Sequence, residues 1–317
     1  MQLHDLKRRL LDPVKMLSLK AGISAALARR QRAMRIIMFH GVDMDGEPSA
    51  AEFFRLFDFL QQHFRIVSLH DVLARVRGEK SIDGDEVAIT FDDGYASFGS
   101  KIYPVLVERR LPATVFVCPA LIDRNAIPWT YEIRARLAAM PPEAWRTLGE
   151  RWPEAPRTPD ALILWIRNLA GGSNREEIVN AIRTLTADFE LLRDFLEAHT
   201  LMDWETLNRL DHSLITVGSH GMQHRALPGL TEKELRYEVV TSASSIREKL
   251  DTACRFFCYP MGRWDDMSKT VVAEHHEAAV VTAKGLVRTG DDPILLTRIG
   301  TSSSCARFAW KMWRPAS

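Results

Sequence analysis

The stretch Val87-Ala88-Ile89-Thr90-Phe91-Asp92-Asp93-Gly94-Tyr95 decides the reading of this chain. Its β-branched and aromatic residues predict a buried strand that stops at Gly94, with two carboxylates emerging at the C-terminal end. In βα-type folds that end is where chemistry sits. Side chains alternate across a strand, so Asp92 and Asp93 face different ways while the backbone stays extended, and each can take a separate task. Two adjacent carboxylates also repel, a conflict that a bound divalent cation removes. Asp-Asp-Gly on its own is most often a turn.

A second run completes the pattern. Residues 213–218, Ser-Leu-Ile-Thr-Val-Gly, read as a strand with a glycine exit, followed by Ser219-His220-Gly221-Met222-Gln223-His224. A histidine pair at this spacing is commonly a surface accident in a chain with 10 His. Together with the aspartates, and again at a strand end, it can supply three metal ligands and leave one carboxylate as a base. That is the minimum kit for metal-assisted hydrolysis.

On these residues the chain resembles the polysaccharide deacetylases, the NodB-homology or carbohydrate esterase family 4 group. Residues 90–95 are similar to that family's first motif and 219–224 to its second. Phe257-Cys258-Tyr259-Pro260-Met261-Gly262 resembles the third motif in the form of the exopolysaccharide-biosynthesis branch, and Leu296-Thr297-Arg298-Ile299 a late segment of that branch. The motifs follow family order between about residues 35 and 300.

The resemblance implies an α/β fold, a distorted (β/α) barrel of about seven strands. It further implies that Asp93, His220 and His224 bind a divalent metal. Zinc is the first choice for such a nitrogen and oxygen set, which also suits cobalt, nickel or manganese. Asp92 is then the general base for water held on the metal, and the Met261 backbone N–H the donor to the oxyanion. Candidate substrate contacts are His40, at the end of the run Ile36-Ile37-Met38-Phe39-His40, together with Tyr95, Tyr259, Pro260 and Trp129. Of the two readings of His40, an imidazole hydrogen-bonded to backbone behind the site is slightly favoured over a substrate contact. The chain departs from the family at Cys258, where many members carry Arg, in lacking a recognisable fourth-motif Asp, and at Arg298, near the place of a late His. Arg298 is a catalytic candidate without an assigned role. His275 and His276 fall in a helical run at 268–277 and are expected to be exposed, which leaves the proton donor unassigned.

Length and composition set bounds. With 317 residues, 46% hydrophobic, the chain can bury a large core, and one barrel domain accounts for most of it. A net charge of +1 argues against nucleic acid as a partner. No apolar run reaches the roughly 18 residues of a membrane span. Residues 1–30 mix Lys, Arg and Asp without an apolar centre of about 7–15 residues, which reads against a secretory signal. Cys118, Cys254, Cys258 and Cys305 show no framework spacing, and Cys258 reads as a buried free thiol. These features point to a cytoplasmic setting.

Two regions frame the organisation. Residues 1–34 form a basic helical segment, with Leu6, Leu10, Val14, Leu17 and Leu27 at partly helical spacing; it suits either an anionic membrane surface or packing on the catalytic domain, 35–317. Strands are expected at 35–39, 87–91, 113–117, 214–217, 255–258 and 278–282, alternating with helices at 50–64, 99–110 and 231–250. That alternation predicts a parallel sheet, closed or open. Between about 122 and 205 the strand signal vanishes, and dispersed Trp and aliphatic residues predict a helical insertion. The expected function is deacetylation, at nitrogen or oxygen, of an acetylated carbohydrate, an exopolysaccharide or cell-surface glycan intermediate that can be lipid-linked, by an enzyme peripheral to the inner face of the membrane. A deformylase or other amidohydrolase on the same fold, and a non-catalytic carbohydrate-binding protein, are the rivals.

Overall fold

Most of the barrel strands read as nearly continuous apolar runs because a parallel strand is covered on both faces, by helices outside and by the opposite wall inside. The computed structural model describes residues 13–44, 47–169, 172–302 and 304–314. Its eight parallel strands are β1 (Arg35–Phe39), β2 (Arg65–Ile66), β3 (Glu86–Phe91), β4 (Ala113–Val117), β5 (Ile215–Ser219), β6 (Phe256–Cys258), β7 (Ala278–Lys284) and β8 (Leu296–Gly300). They follow the order β1-β8-β7-β6-β5-β4-β3-β2. Because β1 also pairs with β3, from Arg35↔Val87 to Phe39↔Phe91, seven strands close into a barrel. The short β2 lies against the start of β3. The expected barrel is therefore what forms, and the open sheet is excluded.

Two strands escaped the sequence pattern. β2 has 2 residues, too few for any periodicity. β8 carries Arg298 at its centre, and a charge there breaks the apolar run by which strands are recognised.

Strand alternation sorts the barrel into two shells. Ile36, Ala88, Phe116, Phe256, Cys258, Val280 and Leu296 form one cluster. Their sequence neighbours Ile37, Phe39, Val87, Ile89, Phe91, Val115 and Val117 pack instead with Phe53 and Phe57 of the helix Ala50–His63. Strands from all round the sheet contribute to the first cluster, so it fills the interior. Thr90 and Asp92 share the parity of Ala88, and Arg298 that of Leu296, and all three side chains face the lumen. The lower lumen is apolar and its upper end is charged.

The region at 122–205 is helical as expected, with Trp129–Ala139, Pro142–Arg151, Pro159–Asn168, Gly172–Leu185 and Arg193–His199. Ile133, Leu137, Leu148, Leu162, Ile166 and Ile182 give it a core of its own, against which Trp129, Trp145, Trp152 and Trp165 pack. Residues 1–12 of the basic N-terminal segment, including Leu6 and Leu10, lie outside the described residues. Farther on, Ala25 and Ala28 of the helix Ile23–Arg30 join the core cluster of the barrel's outer face.

Arg35 joins these parts. Its guanidinium, fully buried, donates to the carbonyl oxygens of Met312 (2.6 Å), Ala33 (2.8 Å), Gly84 (2.9 Å) and Ala28. Burial lowers its pKa to about 10, against the opposing field of Glu86, so it stays charged at neutral pH. Arg35→Leu strands several buried carbonyls, each costing about 1–3 kcal/mol. We expect this variant to lose at least ~3 kcal/mol in urea unfolding, with an unchanged denaturant slope.

Candidate active site

The two aspartates separate because the backbone turns between them. Asp93 has φ 66° and Gly94 φ 75°, left-handed values that Asp tolerates and Gly adopts freely. A Cβ at Gly94 would stand 2.7 Å from Val117 Cγ1, so both the angle and the space require glycine. Asp92 keeps the strand's inward direction. Asp93 is released from strand alternation and turns toward β5.

Asp92 meets Arg298 across the lumen in a two-pronged ion pair, Nη1 to Oδ1 at 2.7 Å and Nη2 to Oδ2 at 2.8 Å. The rest of the guanidinium donates to Val281 O (3.1 Å), Thr90 Oγ1 (3.1 Å) and Cys258 Sγ (3.2 Å). Burial would raise the Asp92 carboxyl, but the Arg298 charge and its hydrogen bonds outweigh it and hold the pKa well below the usual carboxylate range. Asp92 is therefore ionised at any working pH.

Asp93 Oδ1 faces two imidazoles, 3.7 Å from His220 Nε2 and 3.4 Å from His224 Nε2. It is buried and has no hydrogen-bond partner among the described residues. His220 follows β5, and its ring Nδ1 lies 2.7 Å from the carbonyl oxygen of Cys258. A carbonyl only accepts, so Nδ1 carries the proton and Nε2 presents its lone pair toward Asp93. Burial pushes both imidazoles down to about 4, so they are neutral at pH 7 and available as ligands.

The loop carrying His224 is fixed from below by Glu238, which is fully buried. Its Oε2 accepts from the backbone N–H of Met222 (2.8 Å) and Gln223 (3.0 Å). Gly221 has φ 78°, and a Cβ there would meet Glu238 Oε2 at 2.9 Å. Glu238 was missed in the sequence. The available signal was an acidic residue between Leu235 and Val239 on the apolar face of a helix.

Among the described residues, three groups of side chains bring potential ligand atoms within 4.8 Å of one another. In the set Asp92, His220 and Cys258, Arg298 already holds both carboxylate oxygens and the sulfur. In the set Asp83, Asp85 and Glu86, Arg65 and Arg75 supply the counter-charge. The set Asp93, His220 and His224 is buried, and no guanidinium or ammonium occupies it. Its unpartnered oxygen and two neutral imidazoles fit a divalent cation.

The other sequence candidates fall in different places. His40 ends β1, one residue beyond Phe39, whose carbonyl accepts the Asp92 N–H at 2.9 Å. Its Nδ1 lies 2.9 Å from Glu47 Oε1, with the His40 side chain 30% exposed. Burial works against the charged ring, but the hydrogen bond and charge of Glu47, with Asp92 and Asp93 nearby, raise it to about 9. His40 is thus a cation at neutral pH, held by a carboxylate rather than by backbone. Trp129 lines a cavity that also contains His224 in its wall. Met261 has φ 57° in the turn after Pro260. Tyr95, Tyr259 and Pro260 are buried, so none of them offers a sugar an open surface. His276 corrects an expectation of exposure. It is 5% exposed, its ring packs 5.2 Å from that of Phe257, and the outward parity of Phe257 sets it behind the barrel wall, remote from Asp92.

The sequence profile of the family described as "Polysaccharide deacetylase" matches residues 79–280, more than half of the chain. The chain belongs to the polysaccharide deacetylase family. Membership makes it a carbohydrate-deacetylase relative in a family that generally depends on divalent metal. No individually curated protein matches the sequence. Among solved structures, IcaB from Ammonifex degensii superposes with a TM-score of 0.59 at 18% identity, over 88% of this chain and 97% of that one. Streptococcus pyogenes deacetylase PplD, determined with acetate, gives 0.58 at 13%, over 86% and 93%. The BpsB deacetylase domain from Bordetella bronchiseptica gives 0.53 at 19%, over 85% and 96%. At these identities the likeness is one of fold.

The site's own titration gives a test. A folded-state pKa of about 4 at His220 and His224, against about 6.5 in an unfolded chain, means that unfolding takes up protons between those values. The stability from these two rings is complete above about pH 6.5 and is lost as pH falls toward 4. Denaturant unfolding of metal-free protein should show this decline, and His224→Gln should flatten it.

Proposed function

We propose that this chain is a divalent-metal-dependent hydrolase that removes acetyl groups, at nitrogen or oxygen, from a carbohydrate. The observation carrying the proposal is the buried, unpartnered Asp93 Oδ1 facing two neutral imidazole nitrogens, beside an Asp92 already fixed by Arg298. Asp93, His220 and His224 would hold the cation, with zinc as first choice, and when bound it would supply Lewis acidity and lower the pKa of water.

The protein's own groups do the rest. Asp92 accepts the proton of the attacking water; the Arg298 prongs aim the carboxylate and keep it ionised, at the cost of making it a weak base. The Met261 N–H, in the turn after Pro260, donates to the oxygen that becomes negative as the carbonyl is attacked. His40 is the proton donor to the departing amine or alcohol. This reading is supported by its charged state, its Glu47 partner and its position next to Asp92 along the β1–β3 pairing. It fills the role that the sequence left unassigned.

The substrate we infer is an intermediate of exopolysaccharide or other cell-surface glycan assembly, in keeping with the third-motif form at 257–262. A lipid-linked sugar fits the basic N-terminal segment, whose described part exposes Val14, Met16 and Leu17, and with it we infer a location at the cytoplasmic membrane surface. Among the described residues no helix is long and apolar enough to cross a membrane.

Acetate release from N-acetylated sugars should stop on chelation and return on adding zinc, whereas preference for formylated analogues would favour a deformylase. Asp93→Asn should lose bound metal in equilibrium dialysis, while Asp92→Asn retains it and loses about 10²–10⁴ in kcat. Sugar binding at saturating metal without acetate release would leave a binding protein instead. If His40 is the acid, kcat falls as pH rises through about 9, and His40→Gln removes that limb together with about 10² in rate.

A further inference from the structure

Beside His224 a cavity of about 570 Å³ opens between the barrel and the helical insertion. Its wall includes four arginines, Arg124, Arg175, Arg183 and Arg225, against two carboxylates, Glu132 and Glu176. Two of the arginines are answered. Arg183 holds Glu132 at 2.7 Å, a carboxylate that Arg136 also claims at 2.9 Å. Arg225 lies 2.9 Å from Glu234 and 3.7 Å from Glu176.

Arg175 is not answered. It is 5% exposed, yet no carboxylate of the described residues lies within the 4.0 Å of an ion pair. Its only hydrogen bonds among the described residues, from Nε to Ile166 O and from Nη2 to Leu169 O, are both 3.5 Å long, at the limit of what counts as a bond. Nη1 takes part in neither. Burial, together with the like charges of Arg225 and Arg263, lowers its pKa, with Glu176 and Glu238 opposing. The contrast with the other buried arginines is plain: Arg298 has a carboxylate on two prongs, and Arg35 has four carbonyls. A buried guanidinium without a counter-ion is costly to keep. Here it borders an open cavity of ligand size, with a residue of the metal-binding set in the same wall.

We propose that this cavity is a subsite for an oxyanion, a phosphate ester or a carboxylate, carried by the acetylated sugar. Arg175 is its principal partner and Arg124 stands at the exposed rim. The substrate is therefore an anionic acetyl-sugar rather than a neutral glycan. This rests on the deacetylase reading above and adds the charge of the substrate to it. His224 and Trp129 line the same cavity as Arg175, so a sugar whose anion sits on Arg175 lies beside the proposed metal-binding set.

Calorimetric titration of the zinc-loaded full chain tests this with three ligands: N-acetylglucosamine 1-phosphate, an N-acetylhexosaminuronic acid and the neutral methyl N-acetylglucosaminide. A charged ligand should bind about tenfold or more tightly than the neutral one, as a charge-assisted bidentate contact implies. The tighter of the two charged ligands identifies the group. Arg175→Gln should abolish the preference and Arg175→Lys should keep part of it. Equal affinity for charged and neutral sugars overturns the proposal, as does a preference that survives Arg175→Gln, which would locate the anion on the metal alone. If Arg175→Gln does not fold, Arg124→Gln at the rim decides: a reduced preference supports the subsite and an unchanged one removes it. Acetate release from the same ligands is read separately, so a charge preference without hydrolysis keeps the subsite and discards the reaction.

Discussion

The ion pair between Asp92 and Arg298, closed inside the upper lumen, is the constraint on which the site depends. Taking both charges out of water costs several kcal/mol each, and the loss is recovered only where geometry is good and the remaining donors are satisfied. Here both carboxylate oxygens are engaged and the other guanidinium donors reach Val281, Thr90 and Cys258. The pair also connects β3 to β8 across β1, which lies between them in the closed sheet. It divides the labour of the two aspartates. One is bound to a fixed cation of the protein, and its neighbour is left facing two neutral imidazoles.

Much of this was legible in the chain. Strands at 35–39 and 113–117 coincide with β1 and β4, because buried parallel strands read as plain apolar runs. The convergence of residues 92–93 with 219–224 was legible because each follows such a run. The helix expected from residue 231 does begin there, with Thr231 and Glu234 forming its capping box. What was illegible depended on contacts between distant segments. β8 was hidden by Arg298, whose inward charge makes sense only once Asp92 stands opposite. His40 looked like a bystander because its partner, Glu47, lies in the following loop and nothing in the local pattern announces the pairing. His276 looked exposed because its place in a polar helix end was visible, while the ring of Phe257 behind it was not.

The helical insertion occupies the same end of the barrel as the chemistry and is joined to it by polar contacts. Arg263, in the loop that follows Met261, donates to the carbonyl of Arg167 at 2.6 Å. Arg225, one residue beyond His224, lies between Glu234 on the barrel side and Glu176 on the insertion. The insertion keeps its tryptophans largely for its own core. Its contribution to the mouth is therefore electrostatic more than aromatic. A barrel with a fixed ligand set thus acquires a flank of different charge, the usual route by which one scaffold serves several substrates.

The placement of β1 between β3 and β8 has a consequence for how the chain is made. During synthesis β1 finds β3 early, but its other edge stays bare until residues 296–300 emerge, and Arg35 lacks the carbonyl of Met312 until that residue follows them. Native closure is accordingly a late event, slowed by the long loop it must draw shut. A ribosome paused before residues 296–300 emerge would hold an unsealed edge, the kind of surface on which chaperones and neighbouring strands compete.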